Sequence, residues 1–208
     1  MKIVLATRNT GKLAELRRIL TGIDVVGLAE YPGAPDVPET ELTFAGNALL
    51  KAHAIAAHTG LPAVADDSGL CVDALNGMPG VLSARWSGRF GDAAADKDRA
   101  NLDLVLDQLA DVPAAHRGAH FACAAALAWP SGEEHVVEGR MDGRIIDTPR
   151  GTGGFGYDPI FVPDGDTRTS AELTPAEKDA ISHRGKAFRA LAVFLDAPQG
   201  GASVRGLL

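Results

Sequence analysis

Residues 2–20 read KIVLATRNTGKLAELRRIL and contain three successive patterns. Residues 2–6 are an apolar run of the kind that forms a buried strand. The polar residues from Thr7 to Lys12 follow and predict a turn. After the turn, apolar side chains recur at helical spacing, at Leu13, Leu16, Ile19 and Leu20. The chain is therefore predicted to open with a strand, a turn and a helix.

The rest of the chain alternates between the same two kinds of element. Helices are predicted at residues 44–58, around Leu102, Val105, Leu106 and Leu109, after the capping box of Thr174 and Glu177, and around Phe188, Leu191, Ala192 and Leu195. Strands are predicted at residues 63–65, 119–129, 134–147 and 159–162, and loops at 27–42 and 76–92. Strands that alternate with helices in this way indicate an α/β fold.

Composition and charge restrict the classes of function. The chain has 208 residues, of which 46% are hydrophobic and 23% charged, and its formal net charge is −7. A broad nucleic-acid interface needs a basic face, which this acidic chain does not predict. A small anionic substrate is still compatible with the charge, provided that basic groups are concentrated locally.

The two cysteines and the chain ends carry three further predictions. Cys71 and Cys123 lie in apolar runs, which predicts buried, reduced thiols in a cytoplasmic protein. No apolar run approaches the roughly 20 residues of a membrane span, and the first apolar run is too short for a signal peptide. We expect a single domain over residues 1–197 and a flexible tail over residues 198–208.

The turn from Thr7 to Lys12 matches a phosphate-binding loop only in part. The P-loop motif requires a glycine six residues before its lysine and a serine or threonine after it, and here Ala6 and Leu13 occupy these positions. A turn between a strand and a helix start nevertheless offers free backbone N–H groups and a positive dipole end, to which Lys12 adds a charge. Two interpretations remain open, a phosphate cradle and an ordinary turn.

A glycine cluster at residues 151–156 matches the spacing G-x-G-x-x-G. A dinucleotide site needs a helix directly after these glycines, whereas residues 157–162 predict a turn and a strand. The cluster is therefore either a glycine-rich turn or a loop that lets the backbone approach a ligand. In the second case Phe155 could stack on a ring.

Two adjacent carboxylates follow the predicted strand at residues 63–65. Side chains of neighbouring residues in an extended chain point to opposite faces, so only one of Asp66 and Asp67 is expected to reach a cleft. An ionised carboxylate suits Mg²⁺, which proteins usually hold by one or two carboxylates together with phosphate oxygens. Glu39 or Glu41 could supply a second carboxylate. A solvated surface is the alternative for all of these groups and for the basic cluster Lys178, His183 and Arg184.

Six segments, in order, bring these candidates together. They are Ala6-Thr7-x-Asn9-x-x-Lys12; Glu39-Thr40-x-x-Thr43-Phe44-x-x-Asn47-Ala48 with Lys51-Ala52; Ala65-Asp66-Asp67-Ser68-Gly69-Leu70; Pro79-Gly80-Val81-x-Ser83-Ala84-Arg85-Trp86-Ser87-Gly88; Gly153-Gly154-Phe155-Gly156-Tyr157-Asp158-Pro159; and Ala180-Ile181-Ser182-His183-Arg184-Gly185. In these segments the chain resembles the inosine/xanthosine triphosphate pyrophosphatase family, whose members convert dITP, ITP and XTP to monophosphates. The resemblance covers nearly the whole chain.

The resemblance implies a fold, a reaction and an assembly. The fold would be an elongated α/β structure with two lobes, a long central mixed sheet flanked by helices, and an active site in the cleft between the lobes. The reaction would be the Mg²⁺-dependent attack of water on the α-phosphorus, which releases pyrophosphate, and the protein would form a homodimer. Two alternatives are a related pyrophosphatase for modified pyrimidine nucleotides and a non-catalytic nucleotide-binding protein.

Roles are carried over residue by residue. The resemblance implies a general base and metal ligand at Asp67 and a second metal carboxylate at Glu39. The triphosphate would be held by Thr7, Arg8, Asn9, Thr10, Gly11, Lys12 and Lys51. The remaining substrate-binding residues would be Ser68, Phe155, Gly156, Tyr157, Asp158, Lys178, His183 and Arg184, with Phe155 stacked on the purine. Arg85 could serve either the phosphates or the dimer interface.

One position departs from the family's pattern. The family usually has Glu where this chain has Gly46. If Thr43 caps the helix, Gly46 weakens the first turn by at most about 1 kcal/mol relative to Ala and removes an acidic group near the proposed metal. Either Glu41 compensates for this loss, or the affinity for metal is lower.

Overall fold

The computed structural model describes residues 1–195 of the chain. The predicted tail at residues 198–208 lies outside the described residues, and the domain bounds 1–197 stay a prediction. The helices are α1 (Thr10–Ile19), α2 (Phe44–Thr59), α3 (Gly88–Asp92), α4 (Lys97–Gln108), α5 (Pro175–Ile181) and α6 (His183–Leu195). The strands are β1 (Lys2–Leu5), β2 (Asp24–Gly27), β3 (Ala63–Val72), β4 (Gly118–Ala128), β5 (Glu134–Ile145) and β6 (Phe161–Pro163). None of the described helices is both long and apolar enough to span a membrane.

All six strands form one mixed sheet in the order β2-β1-β3-β4-β5-β6. Strand β1 runs parallel to β2 and β3, whereas β3, β4, β5 and β6 are successively antiparallel. The three long strands β3, β4 and β5 form the middle of the sheet. The predicted α/β architecture with a long central mixed sheet is therefore confirmed.

Two predicted strands needed correction. Strand β3 continues to Val72, although the sequence analysis ended it at Ala65, because all ten of its residues pair with β4. This pairing overrides the local preference of Asp, Ser and Gly for a turn. The strand predicted at 159–162 lies at 161–163, after a 3₁₀ turn at 158–160.

Short elements were missed inside the predicted loops. Strand β2 went unnoticed because four residues are too few to show an alternation. The loop predicted at 76–92 contains a 3₁₀ helix at Gly80–Arg85 and the short helix α3. Elements this short depend on contacts with the rest of the fold, which the sequence pattern alone does not show.

Three hydrophobic clusters divide the molecule into two lobes. In the first lobe, one face of the sheet packs against α1 and α6 through Leu16, Phe188 and Leu191, and the other face packs against α2 through Ala48, Ala52 and Ile55. In the second lobe, Leu70, Val72, Leu102, Val105, Phe121 and Phe161 form a separate cluster. Strand β3 contributes to all three clusters, and its polar residues 66–69 lie between its contributions to the first lobe and to the second.

The approach of α6 to the sheet depends on Gly139 of β5. A β-carbon at this position would overlap the backbone oxygen of His183 and lie 2.7 Å from the backbone nitrogen of Ala187. Only glycine allows this close contact between a strand and a helix backbone. The contact fixes the first turn of α6, which carries His183 and Arg184, beside the middle of the sheet.

Candidate active site

Two neighbouring cavities lie in the cleft between the lobes. The first, of about 260 Å³, is lined by Asn9, Lys12, Glu39, Asp67, Ser68, Gly69, Leu70, Ser83, Ala84, Asp98, Asn101, Phe121, Phe155, Gly156, Tyr157, Asp158, Lys178, His183 and Arg184. The second, of about 320 Å³, is lined by Ala6, Thr7, Arg8, Asn9, Lys12, Leu28, Pro35, Asp36, Val37, Glu39, Lys51, Ile55 and Asp66. Asn9, Lys12 and Glu39 line both cavities, which together form one groove. Every predicted site residue except Thr10 and Gly11 lies in the wall of this groove.

The groove runs along an edge of β3 that β1 leaves open. Strand β1 pairs with β3 only at Ala63 and Val64. Beyond this point side chains replace strand pairing, since Lys51 Nζ donates to the backbone oxygen of Asp66 at 2.7 Å and the backbone N–H of Leu70 donates to Ser83 Oγ at 2.9 Å. The polar residues of β3 are therefore presented to the cleft.

Asp66 points to the α1 and α6 side of the sheet, where it is buried in a network of charges. Its Oδ2 accepts from Lys12 Nζ at 3.0 Å and from Arg184 Nε at 3.1 Å. Arg184 Nη1 in turn donates to buried Glu15 at 2.8 Å. Burial alone would raise the pKa of Asp66, but the charges of Lys12 and Arg184 outweigh it and hold that pKa far below its usual range.

Asp67 points to the opposite side, toward α2, so the prediction of opposite faces is confirmed. Its Oδ2 accepts from Asn47 Nδ2 at 2.9 Å, and its Oδ1 accepts from the backbone N–H of Ser68 at 3.0 Å. Lys51 Nζ lies 3.9 Å from Oδ1. Burial is the main reason why the pKa of Asp67 is raised; Lys51 lowers it and Glu39 raises it further. A buried carboxylate with a raised pKa is a candidate for proton transfer.

Glu39 lies between two cations. Lys51 Nζ is 3.1 Å from its Oε1, and Arg85 Nη1 is 2.7 Å from its Oε2. Burial raises the pKa of Glu39, but the charges and hydrogen bonds of Lys51 and Arg85 have the larger combined effect and lower it. Glu39 is therefore an ionised carboxylate at neutral pH.

The turn from Thr7 to Lys12 differs from the prediction in one respect. Asn9 caps α1, and its Oδ1 accepts from the backbone N–H groups of Gly11 at 2.8 Å and Lys12 at 3.1 Å. These two groups are therefore bonded within the protein, and the expectation that they are free was wrong. Arg8 is bonded to the backbone oxygen of Ala34 at 2.9 Å. The cationic side chain of Lys12 carries more of any phosphate binding than the backbone of this turn.

An aromatic ring from the glycine cluster borders the first cavity. Phe155 is 45% exposed, which is unusual for a large apolar side chain. Its backbone N–H donates to Asp158 Oδ2 at 2.8 Å, and the same oxygen accepts from Lys178 Nζ. Lys178 Nζ lies 5.1 Å from the centre of the Phe155 ring, and the guanidinium carbon of Arg184 lies 5.6 Å from it. The ring thus has a surface available for stacking beside two cations.

The remaining wall of the first cavity is buried and partly aromatic. The His183 ring stacks on Phe121 at 4.9 Å, and burial together with Arg184 and Lys178 lowers its pKa well below the usual value. The Nδ1 atom of this ring is buried and has no hydrogen-bond partner among the described residues. Tyr157 donates its hydroxyl to the backbone oxygen of Ser83 at 2.8 Å. His183 therefore offers an unpartnered ring nitrogen, whereas Tyr157 fixes the wall.

Comparison with known proteins assigns the chain to a family. Residues 3–194 match the family model described as the Ham1 family. The chain belongs to the Ham1 family. It is 66% identical over 194 residues to the dITP/XTP pyrophosphatase of Streptomyces coelicolor, which covers 91% of this chain and 94% of that protein.

Two solved structures agree with this assignment. One is the nucleoside-triphosphatase or dITP/XTP pyrophosphatase of Mycobacterium abscessus, with 57% identity, a TM-score of 0.73, and coverage of 95% of this chain and 100% of that one. The other is a HAM1 protein from Coxiella burnetii, with 43% identity, a TM-score of 0.83, and coverage of 94% and 98%. The resemblance recognised from the six sequence segments is therefore confirmed.

The structure of this Ham1 family member also brings in side chains to which the sequence analysis gave no role. They are Glu15 and Asp66 in the charge network, Asn47 beside Asp67, and Asp98, whose Oδ2 accepts from the backbone N–H of Gly156 at 3.0 Å. Helical spacing could have indicated two of them, since Glu15 follows Lys12 by three residues and Asn47 precedes Lys51 by four. Nothing in the local sequence indicates Asp98.

The structure also shows what lies beside Gly46. Thr43 caps α2 by accepting from the backbone N–H of Gly46 at 3.0 Å, as predicted. A β-carbon at position 46 would lie 2.7 Å from Cβ and 2.9 Å from Cγ of Glu41. Glu41 therefore occupies the space into which a side chain at position 46 would project.

We expect Gly46→Ala to destabilise the protein by about 1–3 kcal/mol through overpacking against Glu41. In a Glu41→Gly background the same substitution should instead be neutral or stabilise by up to about 1 kcal/mol, because alanine favours the helix. Urea unfolding of the four proteins of this cycle measures both effects. Equal effects of Gly46→Ala in the two backgrounds would contradict the contact.

We expect Asn47→Leu to lower kcat of the pyrophosphatase reaction proposed below by about 10-fold or more, with a smaller change in KM. Asn47 is fully buried, and its Oδ1 accepts from the backbone N–H of Glu41 at 2.9 Å while its Nδ2 donates to Asp67. Leucine removes both bonds and leaves Asp67 without its orienting partner. Thr43→Ala is the matched control, because it weakens the same helix start without touching Asp67. Equal losses of kcat in the two variants would mean that Asn47 acts only through helix stability.

Proposed function

We propose that this protein hydrolyses the aberrant purine nucleoside triphosphates dITP, ITP and XTP to the monophosphate and pyrophosphate, with Mg²⁺ as cofactor. The observation that carries the proposal is the order of groups along the groove. An aromatic ring and buried polar side chains line one end, lysines line the other, and Asp67 and Glu39 lie between them. The printed names of the relatives support the same reaction.

The base would occupy the first cavity and the outer phosphates the second. Phe155 offers a ring face for stacking. Lys12 and Lys51 border the second cavity, at the end where the negative charge of the β- and γ-phosphates would lie. Cations fixed in a groove stabilise the charge that develops on a phosphate leaving group.

Arg184 is the candidate for recognising the 6-oxo group of the base. Three of its N–H groups donate to Asp66, Glu15 and Ser68 Oγ. A guanidinium has five N–H donors and no acceptor, so two donors remain. They can pair with a 6-oxo purine, whereas they would meet the amine of adenine donor to donor. An unpaired group in a closed site costs about 1–3 kcal/mol, which corresponds to roughly 10- to 1000-fold discrimination.

Asp67 would accept a proton from the attacking water. Its raised pKa brings its basicity closer to neutral pH, while Asn47 and the N–H of Ser68 hold the carboxylate in one orientation. The water would attack the α-phosphorus, the bond from that phosphorus to the bridging oxygen would break, and pyrophosphate would leave. Lys12 and Lys51 would then neutralise the charge on the departing group.

The donor atoms of the site fit Mg²⁺. Glu39 and Asp67 both lie within 4 Å of Lys51 Nζ, so a pair of carboxylates faces one point of the groove. Mg²⁺ prefers oxygen ligands and is usually held by one or two carboxylates together with substrate phosphates. Among residues 1–195 no group of three or more His, Cys, Asp or Glu side chains could hold a metal, which agrees with such a shared site. When bound, the ion would neutralise phosphate charge and orient the leaving group.

Assembly and location follow from weaker support and belong to the same proposal. A homodimer is proposed on the family resemblance. A cytoplasmic location is proposed because both cysteines are buried free thiols. The bonds of Arg85 to Glu39 favour a role in the site over one in a dimer interface.

We expect purified protein with Mg²⁺ to release pyrophosphate from ITP and XTP with a kcat/KM at least about 100-fold above that for ATP. The physical reason is the donor-only surface of Arg184. Steady-state kinetics on ITP, XTP, GTP, ATP and modified pyrimidine triphosphates measures the ratios, with omission of Mg²⁺ as the control. Preference for a modified pyrimidine would favour the related pyrophosphatase, and binding without release of pyrophosphate would favour a nucleotide-binding protein.

A further inference from the structure

Glu39 has a cation on each of its carboxylate oxygens. Lys51 Nζ occupies the Oε1 side at 3.1 Å, and Arg85 Nη1 occupies the Oε2 side at 2.7 Å. Arg85 Nη2 also reaches the backbone oxygen of Glu39 at 3.4 Å. The carboxylate proposed to bind metal is thus already neutralised by the protein itself.

The position of Arg85 is set by a well-anchored segment. It ends the 3₁₀ helix Gly80–Arg85, whose Ser83 is bonded to β3 through the backbone N–H of Leu70 and to the glycine cluster through the hydroxyl of Tyr157. Ser83 is 6% exposed, so this anchor is buried. The segment therefore presents its guanidinium to Glu39 from the second lobe as a fixed charge.

A divalent cation that approaches Glu39 meets these positive charges before it gains the carboxylate. The nearest other carboxylate, Asp67, has Lys51 at 3.9 Å, and Asp66 is already paired with Lys12. Like charges at such distances repel, and the repulsion is only partly screened by salt. A triphosphate bound to the same cation supplies negative charge that offsets the repulsion.

We propose that Arg85 competes with the divalent cation for Glu39, so that the cation enters the site together with the nucleotide triphosphate and binds the nucleotide-free protein only weakly. The inference rests on the proposed function, since it concerns the metal of that reaction. Arg85 is in this view a positioning residue: it holds Glu39 in the empty groove and yields one of its oxygens when the charged substrate complex arrives.

The test is the affinity of the nucleotide-free, full-length protein for Mn²⁺, measured by electron paramagnetic resonance of free Mn²⁺. Arg85→Gln should bind Mn²⁺ about fivefold more tightly than wild type, as expected for removal of one nearby, partly screened charge. The matched control is Arg89→Gln, which removes an exposed positive charge from the neighbouring helix α3 without a contact to Glu39. In a Glu39→Gln background the effect of Arg85→Gln should disappear.

A gain of affinity distinguishes competition from a purely structural role, because loss of a structural contact would weaken Mn²⁺ binding. Unchanged or weaker binding by Arg85→Gln, with a thermal midpoint close to that of wild type, would overturn the inference. Equal gains in Arg85→Gln and Arg89→Gln would also overturn it, since they would reflect net charge alone. Failure of the proposed function is separate, because it would appear as wild-type protein that releases no pyrophosphate from ITP.

Discussion

Asp67→Asn is expected to lower kcat for ITP by at least about 100-fold, the lower end of the loss when a general base is removed. The amide has nearly the shape of the carboxylate but accepts no proton from water at neutral pH. Asp67 is 6% exposed and has a raised pKa, which are the properties of a carboxylate suited to that task. Because Lys12 and Lys51 remain in place, nucleotide affinity should fall much less than turnover.

Single-turnover kinetics and calorimetry with ITP separate these two effects. Asp142→Asn is the control, since this exposed residue on β5 is paired with Arg140 and does not line the groove. Turnover within a few-fold of wild type in Asp67→Asn would remove Asp67 from the mechanism. A large loss of affinity without a loss of kcat would assign it to binding instead.

The second large effect concerns stability, and Asp66 is the residue. Asp66→Asn is expected to destabilise the protein by about 3–5 kcal/mol, because it leaves the buried Arg184 and the partly buried Lys12 without a carboxylate between them. For a domain of this size each kcal/mol lowers Tm by about 2–4 °C, so a fall of roughly 6–20 °C is expected. Glu15 still pairs with Arg184, which favours the lower end.

The pH dependence of unfolding provides an independent check on Asp66. Its pKa in the folded state lies far below the value of about 3.9 in an unfolded chain. The stabilisation is therefore complete above pH of about 4 and is lost as pH falls below it toward the folded-state pKa. Wild type should lose stability in this acid range more steeply than Asp66→Asn does.

Calorimetric unfolding from pH 7 to the acid range measures both quantities. Asp103→Asn is the matched control, because its pair with Arg99 is exposed and should contribute little at any pH. An Asp66→Asn variant as stable as the control would show that Lys12 and Arg184 find other partners. In that case the network would have no part in holding the two sides of the cleft together.

Elements with signals close together in sequence could be predicted well. Strand β1, helix α2 with its cap at Thr43, and helix α5 with its capping box at Thr174 and Glu177 lie where their patterns indicated. Each of these signals spans a few residues and needs no partner from elsewhere in the chain. The six family segments similarly identified the family, because they are contiguous motifs.

By itself the sequence determined the α/β class, the main helices and strands, the family and most of the residues that line the groove. Only the tertiary structure decided which charge meets which. Asp66 is paired with Arg184 118 residues away and with Lys12 54 residues away, and Arg85 is bonded to Glu39 46 residues before it. It also decided that β3 runs on through Asp66 and Asp67, because β4 pairs with that strand along its whole length. The physical reason is that periodicity and caps act within a few residues, whereas strand pairing and ion pairs depend on where the sheet order brings distant segments together.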